Sequence, residues 1–115
     1  MAEQPVEWMG DSRRALAAMP KPVRQSFGVR LYELQNGKNV HDVKPLPQFG
    51  SGVFELREAY DKNAYRLMYI VKLKSALYVL HVFMKKSKAG IGLPKNDASL
   101  IAKRLRDAVR LDKEQ

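Results

Sequence analysis

Cysteine is missing from this 115-residue chain, which excludes disulfide staples and thiolate metal sites and fits a reducing, cytoplasmic setting. Histidine is nearly missing too: His41 and His81 show neither the HxxxH nor the HExxH spacing of a histidine metal site. The six serines stand in no nucleophile-elbow context, so a nucleophilic triad finds no members. No apolar run approaches the ~20 residues that span a bilayer, so no membrane partner is expected. The opening Met1-Ala-Glu-Gln-Pro5 is acidic and leads to no apolar stretch, so no signal peptide is expected either. With 45% hydrophobic residues, one domain over residues 1–115 can bury a real core.

What the chain does have is positive charge, +9 in total and unevenly spread. Residues 1–71 carry 10 basic and 8 acidic side chains, while residues 72–115 carry 11 and 4. An excess concentrated in one part of the chain favours a polyanionic partner through steering and counterion release. Charge alone does not choose between RNA, DNA and an acidic protein, and a basic but merely solvated surface gives the same count.

The pattern of elements points to an α+β sandwich. Pro5–Met9 reads as an opening strand, followed by Gly10-Asp11-Ser12 as turn and helix N-cap. A short helix over Arg13–Met19 stops at Pro20, and Pro22 suits the first turn of a second. In that second helix Val23, Phe27, Leu31 and Leu34 share a stripe, Arg24, Arg30 and Glu33 project elsewhere, and Asn36-Gly37 is the stop. Pro45, Pro47, Gly50 and Gly52 make residues 37–52 an ordered but irregular connector. Three antiparallel strands follow, Val53–Glu58, Ala64–Leu73 and Ala76–Met84, joined by Tyr60–Asn63 and Lys74-Ser75 as turns. Asp97-Ala98-Ser99 opens a final helix with Ile101, Leu105, Ala108 and Leu111 near one stripe and Lys103, Arg104, Arg106 and Arg110 around the rest.

Leu80–Ile91 concentrates the chemistry, because a buried strand runs straight into Lys85, Lys86 and Lys88 beside Gly90 and Gly92. A loop at a strand's end can converge cations on a phosphate, although a charge run is more often a solvated face. If Tyr60–Asn63 closes a hairpin, Arg57 lies opposite Arg66, and two like charges facing each other need an anion between them. Glu55 or Glu58 can supply that carboxylate; alternatively the two planar guanidiniums are aimed at a phosphate. Phe83 either stacks on a nucleobase or is one more core aromatic. Lys88, Lys103 and Arg104 complete the candidate RNA-contacting set. His81 reads as a partly buried structural histidine, with acid–base work as the second reading.

Taken together, Lys44-Pro-Leu-Pro-Gln-Phe-Gly50, Val53-Phe-Glu-Leu-Arg-Glu58, Tyr65-Arg66 and Leu80-His-Val-Phe-Met-Lys-Lys-Ser-Lys88 resemble the RelE/ParE superfamily of type II toxins, in its HigB-like, Gp49-like branch. Pro94-Lys-Asn-Asp97 ahead of a basic helix fits as well, and the resemblance covers roughly residues 5–110. It implies an N-terminal strand and helical hairpin packed on a small antiparallel sheet, with a C-terminal helix. It also implies a ribosome-dependent mRNA endoribonuclease, held in check by a helix-turn-helix antitoxin and using no metal or other cofactor. In that chemistry a ribose 2′-OH attacks the adjacent phosphodiester and leaves a 2′,3′-cyclic phosphate. The matching positions are Arg57 and Arg66 for phosphate charge and Lys85, Lys86 and Lys88 for positioning or proton transfer. Neighbouring cations favour the neutral amine that a lysine base needs.

One departure stands out. Some ribonucleases of this superfamily place a catalytic Tyr or His near the C-terminus, and residues 91–115 contain neither. Either the lysines do that work, or cleavage depends heavily on ribosomal RNA, or the chain lacks nuclease activity; a ParE-like inhibitor of DNA gyrase and a non-toxic basic binding module stay open as alternatives.

Overall fold

The computed structural model describes residues 4–71, 73–85 and 93–115. Strand β1 (Val6–Trp8) leads into helices α1 (Ser12–Ala17) and α2 (Lys21–Gln35). Strands β2 (Val43–Pro45), β3 (Val53–Tyr60), β4 (Asn63–Ile70) and β5 (Leu77–Lys85) follow, and helix α3 (Lys95–Glu114) closes the described chain. The sheet order is β1-β5-β4-β3-β2, antiparallel except that β1 lies parallel beside β5. The α+β architecture expected from the sequence is the one observed, with β1 making the sheet mixed.

Local chemistry explains most boundaries. Pro22 occupies the first turn of α2, where its missing N–H costs nothing. At the other end Gly37 takes φ 76°, so its N–H reaches Leu34 O (3.1 Å) and the Lys38 N–H reaches Glu33 O (3.0 Å). That paired closure is the Schellman motif, and it needs a residue comfortable in the left-handed region. The β3–β4 hairpin turns on Asp61 and Lys62, with φ 51° and 65°, a two-residue turn whose twist matches the flanking strands. This turn pairs Tyr60 with Asn63 and sets Arg57 opposite Arg66 and Glu58 opposite Tyr65, the register expected from the sequence.

Each face of the sheet is covered. On one side Val23, Phe27 and Leu31 of α2 pack on Leu56, Leu67, Tyr69, Leu77, Val79 and Val82. On the other, Ile101 and Ala108 of α3 pack on Val53, Met68, Ile70, Tyr78 and Leu80. Cutting Phe27, which is fully buried, back to Ala would cost about 3–5 kcal/mol in transfer and cavity terms.

Several sequence expectations need correcting. The connector contains a strand: β2 pairs with β3 at the sheet edge, too short and too proline-bounded to announce itself. Asp11 precedes α1 but makes no side-chain capping bond, and Ser12 Oγ donates to Val79 O (3.3 Å). Helix α3 begins at Lys95, two residues before Asp97, and Leu111 is 37% exposed, its stripe position taken by Asp112. The Asp112 carboxylate accepts the Lys74 and Ser75 amides (2.9 and 2.7 Å), tying the end of α3 to the β4–β5 connection. Arg30 does not project outward. It is 2% exposed, and its Nη2 donates to Glu58 Oε1 (2.9 Å) and Ser26 Oγ (3.0 Å) while Nη1 reaches His41 O (3.2 Å). Burial pulls that guanidinium below its usual pKa, and Glu58 works in the opposite direction.

Candidate phosphate-binding site

Three central strands align the candidate residues in one row. Arg57 on β3 pairs with Arg66 on β4, and Arg66 pairs with Phe83 on β5. Residues directly opposite on one face sit about 5 Å apart, so the row is a compact patch. Lys85 lies two residues beyond Phe83, on the same face by strand alternation, and pairs with Ala64. Lys86 and Lys88 lie outside the described residues.

The carboxylate that two facing arginines require is Glu55. It is fully buried, and its Oε2 accepts Arg66 Nε (2.6 Å) and Arg66 Nη2. Its Oε1 lies 3.6 Å from Arg57 Nε, an ion-pair separation without a hydrogen bond. Glu58, the other candidate carboxylate, faces the opposite side of the sheet and serves Arg30. The two arginines therefore differ. Arg66 is buried, with its Nη1 lacking any hydrogen-bond acceptor among the described residues, whereas Arg57 has a side chain 57% exposed.

Phe83 is half-buried and sits between two partners. The Arg66 guanidinium carbon lies 5.6 Å from its ring centroid, within cation–π range, and the His81 ring stacks at 5.0 Å with 19° between planes. His81 reaches this position through an irregularity in β5. Met68 pairs with His81 but the next residue, Tyr69, pairs with Val79, so Leu80 is an extra residue in the strand. The bulge turns both Leu80 and His81 toward α3, where strict alternation would have sent His81 with Val79 to the opposite side.

Behind Phe83, His81 belongs to a chain of polar contacts absent from the sequence reading. Its Nε2 lies 2.7 Å from Asp97 Oδ1, and its Nδ1 lies 3.4 Å from Arg104 Nη1. Arginine can only donate, so Nδ1 accepts and Nε2–H donates to Asp97. Arg104 also donates to Leu80 O (3.0 Å) and Asp11 Oδ1 (2.7 Å), and its hydrogen bond holds the Asp11 carboxyl below the usual range. The guanidinium lies so close to Gly10 that a Cβ there would stand 2.5 Å from it. Arg104 is thus 8% exposed and committed to protein partners, which corrects its expected place on the RNA-facing surface. Lys103, by contrast, is exposed and pairs with Asp107 at 3.0 Å. The signal for the buried chain was present only as scattered parts: Gly10 and Asp11 in one turn, and Asp97 in the first turn of α3.

A family model described as phage-derived protein Gp49-like (DUF891) matches residues 14–106. This chain belongs to the Gp49-like family. The resemblance carried by the Glu-Leu-Arg-Glu and Phe-x-Lys-Lys-Ser-x-Lys blocks is therefore met. No curated protein matches the Gp49-like chain. In fold it is similar to a chain of the crystal structure of the toxin–antitoxin complex RelBE2 from Mycobacterium tuberculosis, with a TM-score of 0.51 and 20% identity. That match covers 76% of the Gp49-like chain and 97% of the other. Among the described residues, no helix is long and apolar enough to cross a membrane.

Proposed function

We propose that the Gp49-like chain is the toxin of a type II toxin–antitoxin pair, acting as a metal-independent, ribosome-dependent mRNA endoribonuclease. The observation that carries the reading is the row Arg57–Arg66–Phe83, with Lys85 beside it on the same face. Family membership and the fold shared with a toxin–antitoxin complex support the toxin assignment and an antitoxin partner, of helix-turn-helix type by the sequence resemblance. The basic excess supports a ribosomal, RNA-rich setting in the cytoplasm.

In the reaction, the 2′-oxygen forms a bond to phosphorus and the bond from phosphorus to the 5′-oxygen breaks. The products are a 2′,3′-cyclic phosphate and a 5′-hydroxyl. Negative charge grows on the non-bridging oxygens, and Arg57 with Arg66 supplies fixed planar donors for it. Arg57, whose side chain is 57% exposed, is the guanidinium of the pair that a phosphate oxygen reaches first, with the buried Arg66 adding its charge from behind. The Phe83 ring, held between His81 and the Arg66 guanidinium, keeps that arginine in place and meets RNA with its exposed edge. Lys85 and the adjacent Lys86 take the proton steps, one removing the 2′-proton and one supplying the 5′-oxygen, while Lys88 and Lys103 hold the backbone.

Inducing the gene and mapping transcript ends at nucleotide resolution tests this reading. The expected result is growth arrest with cuts inside codons of translated messages, lost in the Arg66→Ala, Lys85→Ala double variant. Cleavage that survives the double variant removes the assigned site. Intact mRNA accompanied by DNA-damage signalling moves the function to gyrase inhibition.

A further inference from the structure

Helix α3 holds two carboxylates and Arg104 inward and turns its other five cations outward, with Glu114 exposed in its last turn. Asp97 faces His81, and Asp112 is buried against the Lys74 and Ser75 amides. Asp107 lies on the flank, 3.0 Å from Lys103 and 3.2 Å from Arg110. The buried line of the helix runs through Ile101, Arg104, Ala108 and Asp112. Directly opposite, at helical spacing, lie Lys95, Lys103, Arg106, Arg110 and Lys113, all exposed. The position between Lys95 and Lys103 is Ser99, also exposed, and the one exposed carboxylate bordering the line is Glu114 at its C-terminal end. At 1.5 Å per residue the line is about 27 Å long. One end is the turn that holds His81 behind Phe83, and the helix lies on the sheet face that carries Arg57 and Arg66.

We infer that the outward line of α3 is a binding rail for the phosphodiester backbone of RNA, used over several consecutive phosphates and without reading sequence. The choice of RNA rests on the function proposed above; the rail itself rests on the placement of charge. A helix held only by packing would scatter charges of both signs over its solvent face, since paired charges favour an exposed helix. Here the only ion pairs on the line are those to Asp107, and among the described residues no carboxylate pairs with Lys95, Arg106 or Lys113. Five cations on one straight edge suit a partner that is itself a line of regularly spaced anions, as a nucleic-acid strand is. Guanidiniums and ammoniums placed this way contact phosphate and carry no base-edge code, so affinity should be indifferent to sequence.

Fluorescence anisotropy with the full chain and an RNA hairpin of arbitrary sequence tests the rail. The variants are Lys103→Gln, Arg106→Gln and Arg110→Gln combined, and Arg66→Ala alone. For wild type, log affinity should fall steeply and linearly with log salt. Each lost phosphate contact removes about 0.9 from that slope, so the triple variant should be shallower by roughly 2 to 3. Arg66→Ala should change the slope by no more than about 1. A hairpin of unrelated sequence should bind wild type equally well. Melting curves establish that both variants are folded at the assay temperature: the three exposed side chains should allow it, and Arg66→Ala, which strands the buried Glu55, is assayed below its own midpoint. An unchanged slope in a folded triple variant overturns the rail, as does strong dependence on hairpin sequence. Loss of RNA binding in the triple variant, with no mRNA cleavage by the wild type in cells, leaves the rail standing and removes the ribonuclease reading.

Discussion

Replacing Glu55 with Gln keeps the side chain's shape and removes its charge, and the buried arginine row should then lose stability sharply. Arg66 is 8% exposed and Glu55 is fully buried. Arg66 depends on Glu55 Oε2 for its Nε bond at 2.6 Å and its Nη2 bond, and Nη1 already lacks an acceptor. Removing one partner of a buried ion pair leaves the other charge uncompensated, at about 3–5 kcal/mol. Gln retains one acceptor oxygen, which places Glu55→Gln near 3 kcal/mol. Arg57 adds to the loss, because it faces Arg66 directly and the only carboxylate between them would be neutral. A domain of this size shifts its melting temperature by about 4 °C per kcal/mol, so the midpoint should fall by roughly 12 °C. Thermal melts followed by far-ultraviolet circular dichroism measure this directly. Adding Arg66→Met to Glu55→Gln should restore much of the loss, since an apolar side chain of similar length removes the stranded charge. A single Glu55→Gln variant melting within about 3 °C of wild type refutes the assignment of Glu55 as the carboxylate that makes the paired arginines tolerable.

Three further outcomes follow from the contacts around the site. Gly10→Ala should lower stability by about 1–3 kcal/mol in urea unfolding, because the position combines φ +54° with a Cβ 2.5 Å from the Arg104 guanidinium. Burial raises the Tyr69 phenol to about 12, so the folded state keeps a proton that the unfolded state gives up near 10. The stability this represents is fully present below pH 10 and is lost between pH 10 and 12; alkaline unfolding of Tyr69→Phe should show a flatter limb in that window. His81→Gln should cost about 1–3 kcal/mol in unfolding experiments yet leave the pH profile of the proposed RNA cleavage unchanged, since both ring nitrogens are held by Asp97 and Arg104. A limb of that profile lost or displaced in His81→Gln would make His81 a proton carrier after all.

What the sequence made legible is what depends on neighbours along the chain. The hairpin turn at Asp61-Lys62 dictates that Arg57 faces Arg66, and strand alternation does the rest, so the core of the site could be placed from the residues alone. Two other arginines show the limit. Arg30 and Arg104 sit at helical positions that read as solvent-facing, and both are drawn inward by carboxylates from distant elements. Glu58 lies 28 residues from Arg30, and Asp11 lies 93 residues from Arg104. Periodicity assigns a charged residue to water by default, because burial of a charge is costly unless a partner is waiting. Whether one is waiting is a tertiary fact. The bulge at Leu80 is similar: one extra residue in β5 sends His81 to the α3 face, and nothing in the run Leu77–Lys85 marks it.

These misplaced charges also explain the surface that α3 leaves behind. A helix with 6 basic and 4 acidic residues over 95–114 has a modest excess, and an even distribution would leave little net field on any side. Burying Arg104 removes one cation from that surface, which by itself would weaken it. Asp97 and Asp112 are removed too, one by His81 and one by the β4–β5 amides, and Asp107 lies to the flank. What faces water opposite the buried line is then predominantly cationic, with Glu114 the one exposed carboxylate, at the helix's last residue. The contacts that lock α3 against the sheet therefore also fix which edge it presents: Asp97, Arg104 and Asp112 are held on the inner side, and the five remaining cations are left along the outer one.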